Sequence, residues 1–401
     1  MACALLPRHA PLERTLQQQR TSPLDLGCRS REGSLPPFWG RDRTSLVAHG
    51  KRSGLICVSM HLLSAHERKL TGLARGIRAA IVMPLLFALS FVVIRQPVMA
   101  GFAVFGAFAH LVMVDYNVDA AARSTQAAIL TVLGAILIAL GTLFSPSPWL
   151  AVGGATIAGL LAKYPAAKSA EKNLAALRPA LLMAFMLAVA VPTPSGSLSL
   201  RLSGWLIAGL VAQAPLRWLW ISIRPVTSPG PLDAGDSSLQ GGIFVGAAMG
   251  IAVLTARVAK LDHAFWVVLG VAPMLTTWRT SPAGIFWRQQ AGTLLGFLAG
   301  ILLVAIAGPN STWYWVALPL TVFVASYLST AVGFMAGQAA FTTFAVVLFC
   351  ILAPSQGHVG VIRLEDIAIG GSIGLIASLI QRFAPLLKTA ISAHGPRRCA
   401  Q

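Results

Sequence analysis

Acidic residues and cysteines are scarce in this sequence. Its 401 residues include 13 Asp and Glu and five Cys, against 31 Lys and Arg. The cysteines form no CxxC pair and show no metal-ligand spacing, which argues against a disulfide framework and a zinc site. A membrane enzyme would need clustered acids, His or Cys, and neither Asp115 with Asp119 nor Glu365 with Asp366 forms such a cluster. We therefore predict no catalytic site, no bound metal and no cofactor.

Hydrophobic residues, by contrast, make up 56% of the chain, which also contains 37 glycines. The mean hydropathy of +0.72 exceeds what a domain with a water-facing surface reaches. A transmembrane helix needs about 20 mostly apolar residues, and such runs recur from about residue 78 onward. We predict an all-α, polytopic membrane protein in contact with the lipid bilayer. The net charge is +18, but the basic residues are scattered, so nucleic acid is not an expected partner.

The apolar runs predict about twelve transmembrane helices in two sets of six. Ten or eleven remain possible because the short runs around Arg95 and Pro97 could form one re-entrant unit. The first set comprises residues 78–95, 97–115, 126–144, 148–164, 178–192 and 202–219. The second set comprises residues 241–257, 263–278, 289–308, 312–330, 333–353 and 364–382.

The same pattern divides the chain into five segments. Residues 1–77 are basic, and we expect them to be cytoplasmic and largely disordered, with Met60 as the true start of translation. The other four are a first six-helix repeat at 78–222, a cytoplasmic linker at 223–240, a second six-helix repeat at 241–383 and a cytoplasmic tail at 384–401.

Lysine and arginine positions predict the orientation in the membrane. After Met60, seventeen of these residues fall at one set of helix ends and five at the other. The five exceptions are Arg95, Arg201, Arg257, Lys260 and Arg363. An excess of Lys and Arg marks the cytoplasmic side, so we predict an inner-membrane protein with both termini in the cytoplasm.

The two sets of helices are related in sequence. Aligning Arg123 with Arg288 brings Ala127, Thr131 and Ala135 onto Gly292, Gly296 and Gly300. Near the end of each set, LSLRLSGWLIAG matches GVIRLEDIAIGG, with Arg201 on Arg363. Six spans is an even number, so the repeats are parallel and related by a pseudo-twofold axis along the membrane normal. Small residues four apart share a helix face, which predicts close helix packing there.

Candidate substrate-binding residues are Arg123, Arg288, Gln338 and Thr342. The two arginines precede equivalent helices, where they either anchor the cytoplasmic ends or form a positive vestibule for an organic anion. Guanidinium groups suit the second role because they bind carboxylates in bidentate fashion. Gln338 and Thr342 share a face of the eleventh span and bond either a substrate or a neighbouring helix.

Proton coupling would require a titratable group within the membrane. His110 is the histidine buried deepest in a predicted span, and Asp115 lies nearby in sequence. A buried histidine beside a carboxylate suits a proton relay; alternatively, His110 bonds a neighbouring backbone group and Asp115 faces water.

One segment is specific enough to resemble a known family. The pattern FWVVLGVAPMLTTWRTSPAGIFWRQQAGTLLGFLAG, from Phe265 to Gly300, resembles the signature of the fusaric acid resistance, or aromatic acid exporter, family. The matching residues are Arg288, Gly292, Thr293, Gly296 and Gly300. The resemblance extends loosely over residues 75–385, although Ala127 and Ala128 replace the Gly-Thr pair in the first repeat.

This resemblance implies an inner-membrane exporter of small organic, often aromatic, acids, driven by the proton gradient. It also implies a periplasmic adaptor or a second copy of the chain as further partners. The chain is more distantly similar to plant aluminium-activated malate transporters, which carry one six-helix set and dimerise, so it resembles a fused dimer. Because those relatives conduct anions passively, an anion channel or a non-transporting membrane scaffold is the alternative.

Overall fold

The computed structural model describes residues 43–116, 119–163, 176–190, 197–218, 239–261, 264–276, 281–308, 312–352 and 359–393. The chain divides into two units, Met1–Cys57 and Val58–Gln401, and all side-chain contacts given below lie within the second. Residues 219–238, which contain most of the predicted linker, lie outside the described residues.

The described residues form twelve α-helices and no β-strand, which confirms the predicted all-α fold. The helices are α1 (Arg43–Ala88), α2 (Pro97–Phe108), α3 (Ala120–Phe144), α4 (Pro148–Ala162), α5 (Arg178–Val189), α6 (Leu198–Trp218), α7 (Leu239–Val258), α8 (Phe265–Thr276), α9 (Pro282–Ala307), α10 (Trp313–Ala331), α11 (Phe334–Leu352) and α12 (Val359–Ala393). Short π-helical turns extend α1 (Leu89–Val93) and α2 (Ala109–Met113).

Each predicted span corresponds to one of these helices, but the helices differ in length. Seven of those in the described part of the chain are long and apolar enough to cross a membrane. Four others are apolar but shorter, at 10–17 residues: Pro97–Met113, Pro148–Ala162, Arg178–Val189 and Phe265–Met274. Prolines at the first position of α2, α4 and α9 help to set the helix starts, because the missing N–H has no partner there in any case.

The packing of the helices repeats between the two halves. Helix α2 packs on α6 as α8 packs on α12, and α3 contacts α5 and α6 as α9 contacts α11 and α12. The first helix of each half packs on the opposite half: Gly76 of α1 lies against Phe323 of α10, and Gly246 of α7 against Leu160 of α4. This reciprocal exchange is what two parallel repeats about a pseudo-twofold axis predict.

The backbone conformation also repeats at one special position. Among the described residues, Arg95 (φ 59°) and Lys260 (φ 52°) are the two non-glycine residues with positive φ. Each lies in the short turn between the first and second helix of its repeat, where a left-handed residue reverses the chain. Both residues are among the five exceptions to the positive-inside count. They occupy equivalent turns of the two repeats and share the left-handed backbone conformation.

Two segment boundaries differ from the prediction. Helix α1 begins at Arg43, inside the segment expected to be largely disordered. Helix α12 continues to Ala393, ten residues beyond the predicted end of the second repeat at 383.

Glycines bring α9 and α11 into close contact. Gly292, Gly296 and Gly300 are buried on one face of α9, and a Cβ at Gly296 would overlap the Ala339 carbonyl of α11. In the first repeat, Ala127 and Thr131 are buried while Ala135 is only half-buried. Gly134 takes the closest contact instead, with the Trp205 ring of α6 at the place of its missing Cβ. At the third aligned position, the packing face of α3 therefore uses Gly134 rather than Ala135.

Candidate functional site

The two vestibule arginines have different surroundings. Arg123 is 3% exposed, and its Nε donates a hydrogen bond of 2.7 Å to the Leu216 carbonyl of α6. Arg288 is exposed on α9, beside the exposed Trp287. Arg279 and Trp278 lie outside the described residues. The sequence alignment therefore relates one buried and one exposed arginine.

Arg123 belongs to a group of basic residues at the start of the first repeat. Arg78 is 4% exposed and is repelled electrostatically by Arg75 and Arg123. Arg75 forms a salt bridge with Asp115. The Tyr116 phenol, just past the end of α2, is also buried; burial raises its pKa, and the positive charge of Arg78 partly opposes this effect.

His110 and Asp115 are not paired. His110 is fully buried within the π-helical turn that ends α2. Its Nδ1 lies 2.7 Å from the Gly106 carbonyl, and its Nε2 lies 3.1 Å from Thr131 Oγ1 of α3. The Asp115 carboxylate is largely exposed and bonds Arg75. The structure thus places His110 among uncharged hydrogen-bonding groups.

Gln338 and Thr342 contribute to a row of polar contacts between α9, α11 and α12. Gln338 Nε2 donates to Thr293 Oγ1 of α9 at 3.1 Å, and Thr293 Oγ1 donates to the Gln289 carbonyl at 3.0 Å. Thr342 Oγ1 donates to the Gln338 carbonyl at 2.9 Å and accepts from Arg363 Nε of α12 at 3.2 Å. We call these five residues the polar track: Gln289, Thr293, Gln338, Thr342 and Arg363.

Both ends of the polar track carry unsatisfied polar atoms. Gln289 is fully buried, and neither side-chain amide atom has a hydrogen-bond partner among the described residues. Arg363 is 1% exposed, and its Nη1 and Nη2 likewise have no partner in the described part of the chain. Buried polar groups are normally hydrogen-bonded. The side chains of Gln289 and Arg363 are therefore candidates for bonding a ligand.

Aromatic rings hold the Arg363 guanidinium. Its Cζ lies 3.9 Å from the centroid of the Trp266 ring and 4.9 Å from that of Phe341. The buried Asp366, one helical turn further along α12, attracts the positive charge. Contacts with the two rings, whose planes are inclined by 75° to each other, and the bond from Nε hold the guanidinium, while Nη1 and Nη2 have no partner among the described residues.

The equivalent arginine of the first repeat is bonded differently. Arg201 is 3% exposed, and its Nη1 donates to Thr142 Oγ1 at 3.1 Å and to the Ala188 carbonyl at 2.9 Å. Its Cζ lies 5.3 Å from the Phe102 ring of α2. In both repeats the last helix therefore places an arginine over an aromatic ring of the second helix.

Sequence reasoning aligned Arg201 with Arg363 but treated both only as exceptions to the positive-inside rule. The sequence did contain a signal for a functional role, because both arginines are exceptions to the positive-inside rule and occupy the same aligned position of the two repeats. Intramembrane charges of this kind are functional candidates by default.

The two rings that contact Arg363 belong to an aromatic cluster that joins the two repeats. Its members are Phe105, Phe108, Phe265, Trp266 and Phe341. Phe105 of α2 lies 5.5 Å from Phe265 and 6.2 Å from Trp266 of α8, between ring centroids. Phe108 of α2 lies 5.1 Å from Phe341 of α11. Trp266 and Phe341, the rings in contact with the Arg363 guanidinium, thus also contact rings of the first repeat.

Comparison with known proteins agrees with this architecture. Residues 242–377, which are nearly the whole second repeat, match the family described as fusaric acid resistance protein-like. The match confirms the resemblance read from Arg288 and the glycine-spaced helix. With the apolar helices, it supports a multi-pass membrane protein. No curated protein and no solved structure matches the chain, and the similarity to plant malate transporters remains a prediction.

Proposed function

We propose that the protein exports small organic acids, aromatic carboxylic acids in particular, across the inner membrane and is driven by the proton gradient. The polar track is the observation that carries this proposal. Polar groups inside a membrane bundle are costly, and they mark substrate pathways when they face the bundle interior. Here they run from Gln289, near the start of α9, to Arg363 of α12.

The charges along this path favour an anion as the substrate. Arg288 is exposed and lies one residue from the buried Gln289, and the orientation proposed from the Lys and Arg count puts it at the cytoplasmic mouth of α9. Gln338 and Thr342 then bridge the distance to Arg363 at the far end. A positive group at each end attracts an anion inward and holds it within the membrane. Arg123 would serve the same role of attraction in the first repeat.

His110 is the proposed proton-binding residue, and its hydrogen bonds support this role. Three bonds connect the Gly106 carbonyl, His110, Thr131 and the Ala127 carbonyl. Both carbonyls can only accept, so three donated protons are needed to complete the three bonds. A neutral imidazole and one hydroxyl supply two, whereas the imidazolium form supplies the third. Protonation of His110 therefore completes a network that is otherwise one hydrogen bond short.

Transport by cells that express the full chain tests the proposal. Cells are loaded with labelled benzoate, 4-hydroxybenzoate, acetate or malate, and efflux is followed at a fixed substrate gradient with and without a protonophore. We expect export of the aromatic acids that the protonophore abolishes. Flux that follows the substrate gradient alone would indicate a passive channel, and the absence of flux above that of vector-only cells for every acid would contradict a transport function.

A further inference from the structure

We propose that Arg363 is the residue that binds the substrate carboxylate, that the substrate is an aromatic monocarboxylate, and that Asp366 competes with it for the guanidinium. This inference rests on the proposed transport function and assigns that function a binding site. It begins from the difference between the two equivalent arginines, of which only Arg363 keeps both Nη atoms without a partner among the described residues.

The bonding of Arg201 is what a structural arginine requires. Its Nη1 donates to both a hydroxyl and a backbone carbonyl, which links α6 to α3 and α5. Arg363 instead uses Nε alone, in the bond to Thr342. The two repeats thus share a fold and a buried arginine, but in the second repeat no acceptor of the described residues bonds the guanidinium edge that carboxylates recognise.

The geometry of that edge suits one carboxylate. The Nη1 and Nη2 donors of an arginine form a planar fork that matches the two oxygens of a carboxylate. The rings of Trp266 and Phe341 lie against the guanidinium, so a carboxylate that binds it would meet the Nη edge rather than the sides that these rings cover. One fork accommodates one carboxylate, which favours a monocarboxylate over a dicarboxylate.

The surroundings favour an aromatic body for the same ligand. Trp266 and Phe341, which contact this arginine, belong to a cluster in which rings from α2, α8 and α11 lie 5.1–6.4 Å apart, between centroids. Offset and edge-to-face ring contacts are attractive at these separations. A ligand ring that enters between α2 and α11 would replace ring–ring contacts of the protein with similar contacts of its own, at little loss of packing energy.

Asp366 explains how the guanidinium is tolerated when no ligand is bound. Its carboxylate is 1% exposed and attracts the Arg363 charge from one turn away. A ligand carboxylate would bond the fork directly and would be repelled by Asp366. Removal of the Asp366 charge should therefore strengthen ligand binding, whereas removal of the Arg363 charge should weaken it.

Entry of the ligand requires the helices to move. The guanidinium is 1% exposed and Thr342 is fully buried, so this conformation is closed around the site. The aromatic contacts of Phe105 and Phe108 with the second repeat form the boundary that must open. A binding site at the interface of two repeats, exposed by their relative motion, is the arrangement found in repeat-built transporters.

The test is equilibrium binding of labelled benzoate to the purified full-length protein in lipid nanodiscs, with acetate and cyclohexanecarboxylate as competitors. We expect Arg363→Gln to weaken benzoate binding roughly 10- to 100-fold, as expected for a lost hydrogen bond to a charged group. Arg363→Lys keeps the charge without the planar fork and should give an intermediate loss. Benzoate should compete better than cyclohexanecarboxylate, and both better than acetate.

Two acidic residues of α12 provide a matched pair of variants. Asp366→Asn should bind benzoate more tightly than the wild type, a gain that a misfolded protein cannot produce. Glu365→Gln changes the adjacent exposed carboxylate and should bind as the wild type does. If the Asp366→Asn variant binds benzoate no more tightly than the Glu365→Gln variant does, the proposed competition by Asp366 is wrong. This result does not depend on whether Arg363→Gln folds.

The outcomes separate this inference from the proposed function. Wild-type binding that Arg363→Gln leaves unchanged, in a variant with a wild-type melting temperature, would overturn the site while leaving transport intact. Tighter binding of acetate than of benzoate would overturn the aromatic assignment. A wild-type protein that binds no benzoate would overturn the inference as a whole, and only the additional loss of flux in cells would contradict the transport function.

Discussion

The guanidinium of Arg363 lies 3.9 Å above the ring of Trp266, and the guanidinium of Arg201 lies 5.3 Å from the ring of Phe102. The two pairs join the last helix of each repeat to its second helix. The same arginine–ring pair therefore occurs in both repeats of this chain. Cation–π contacts between buried groups contribute about 2 kcal/mol or more to stability. What differs is the hydrogen bonding, which saturates Nη1 of Arg201 and leaves Nη1 and Nη2 of Arg363 without a described partner.

The contact between α9 and α11 depends on the absence of a side chain at Gly296. We expect Gly296→Ala to destabilise the protein by about 1–3 kcal/mol, because the added methyl group would meet the Ala339 backbone, which cannot move independently of α11. Thermal unfolding in detergent measures the effect. Gly153→Ala in α4 is the control, since no atom lies within 4 Å of its Cβ position; an equal loss in both variants would contradict the packing argument.

The polar track should be required for transport rather than for folding. Gln338→Leu removes the donor to Thr293, and we expect the rate of aromatic-acid export to fall roughly 5- to 10-fold, the effect of one lost hydrogen bond. Ser372→Ala is the control, because Ser372 is exposed and its hydroxyl donates to the Ala368 carbonyl of its own helix. Export by Gln338→Leu at the rate of Ser372→Ala would exclude the track from the substrate path.

The hydrogen-bond count around His110 leads to a specific kinetic prediction. Glutamine at this position retains one donor and one acceptor but cannot take up a proton. We expect His110→Gln to lose the protonophore-sensitive part of export, while binding of benzoate in nanodiscs is unchanged. His66→Gln, at an exposed position of α1, should keep full sensitivity. Protonophore-sensitive export by His110→Gln would assign proton coupling to another residue.

Sequence reasoning identified the elements of the fold but not the contacts of the site. Apolar runs and small residues four apart are local patterns, and they predicted the helices and the glycine face of α9. Arg363, Thr342 and Trp266 meet only in three dimensions, since 21 residues separate the first pair and the third residue lies on α8. No periodicity within one helix reports such a meeting.

Contacts that form only in three dimensions also explain why His110 and Asp115 do not pair as the sequence suggested. Five positions separate it from Asp115 in sequence, and this proximity suggested a pair. The π-helical turn at Ala109–Met113 ends α2 between them. Asp115 is then directed to Arg75, which lies 40 residues away in the chain, and His110 turns to Thr131. Sequence distance across a helix end is therefore a poor guide to side-chain contact.

The most direct measurement of the central claim is uptake of labelled 4-hydroxybenzoate into inside-out membrane vesicles whose lumen is more acidic than the bath. An exporter driven by protons accumulates the acid in that lumen, whereas passive diffusion of the neutral acid runs the opposite way. We predict accumulation by the wild type and by Glu365→Gln, and none by Arg363→Gln. Equal accumulation by Arg363→Gln, or accumulation that persists when a protonophore removes the gradient, would contradict the account.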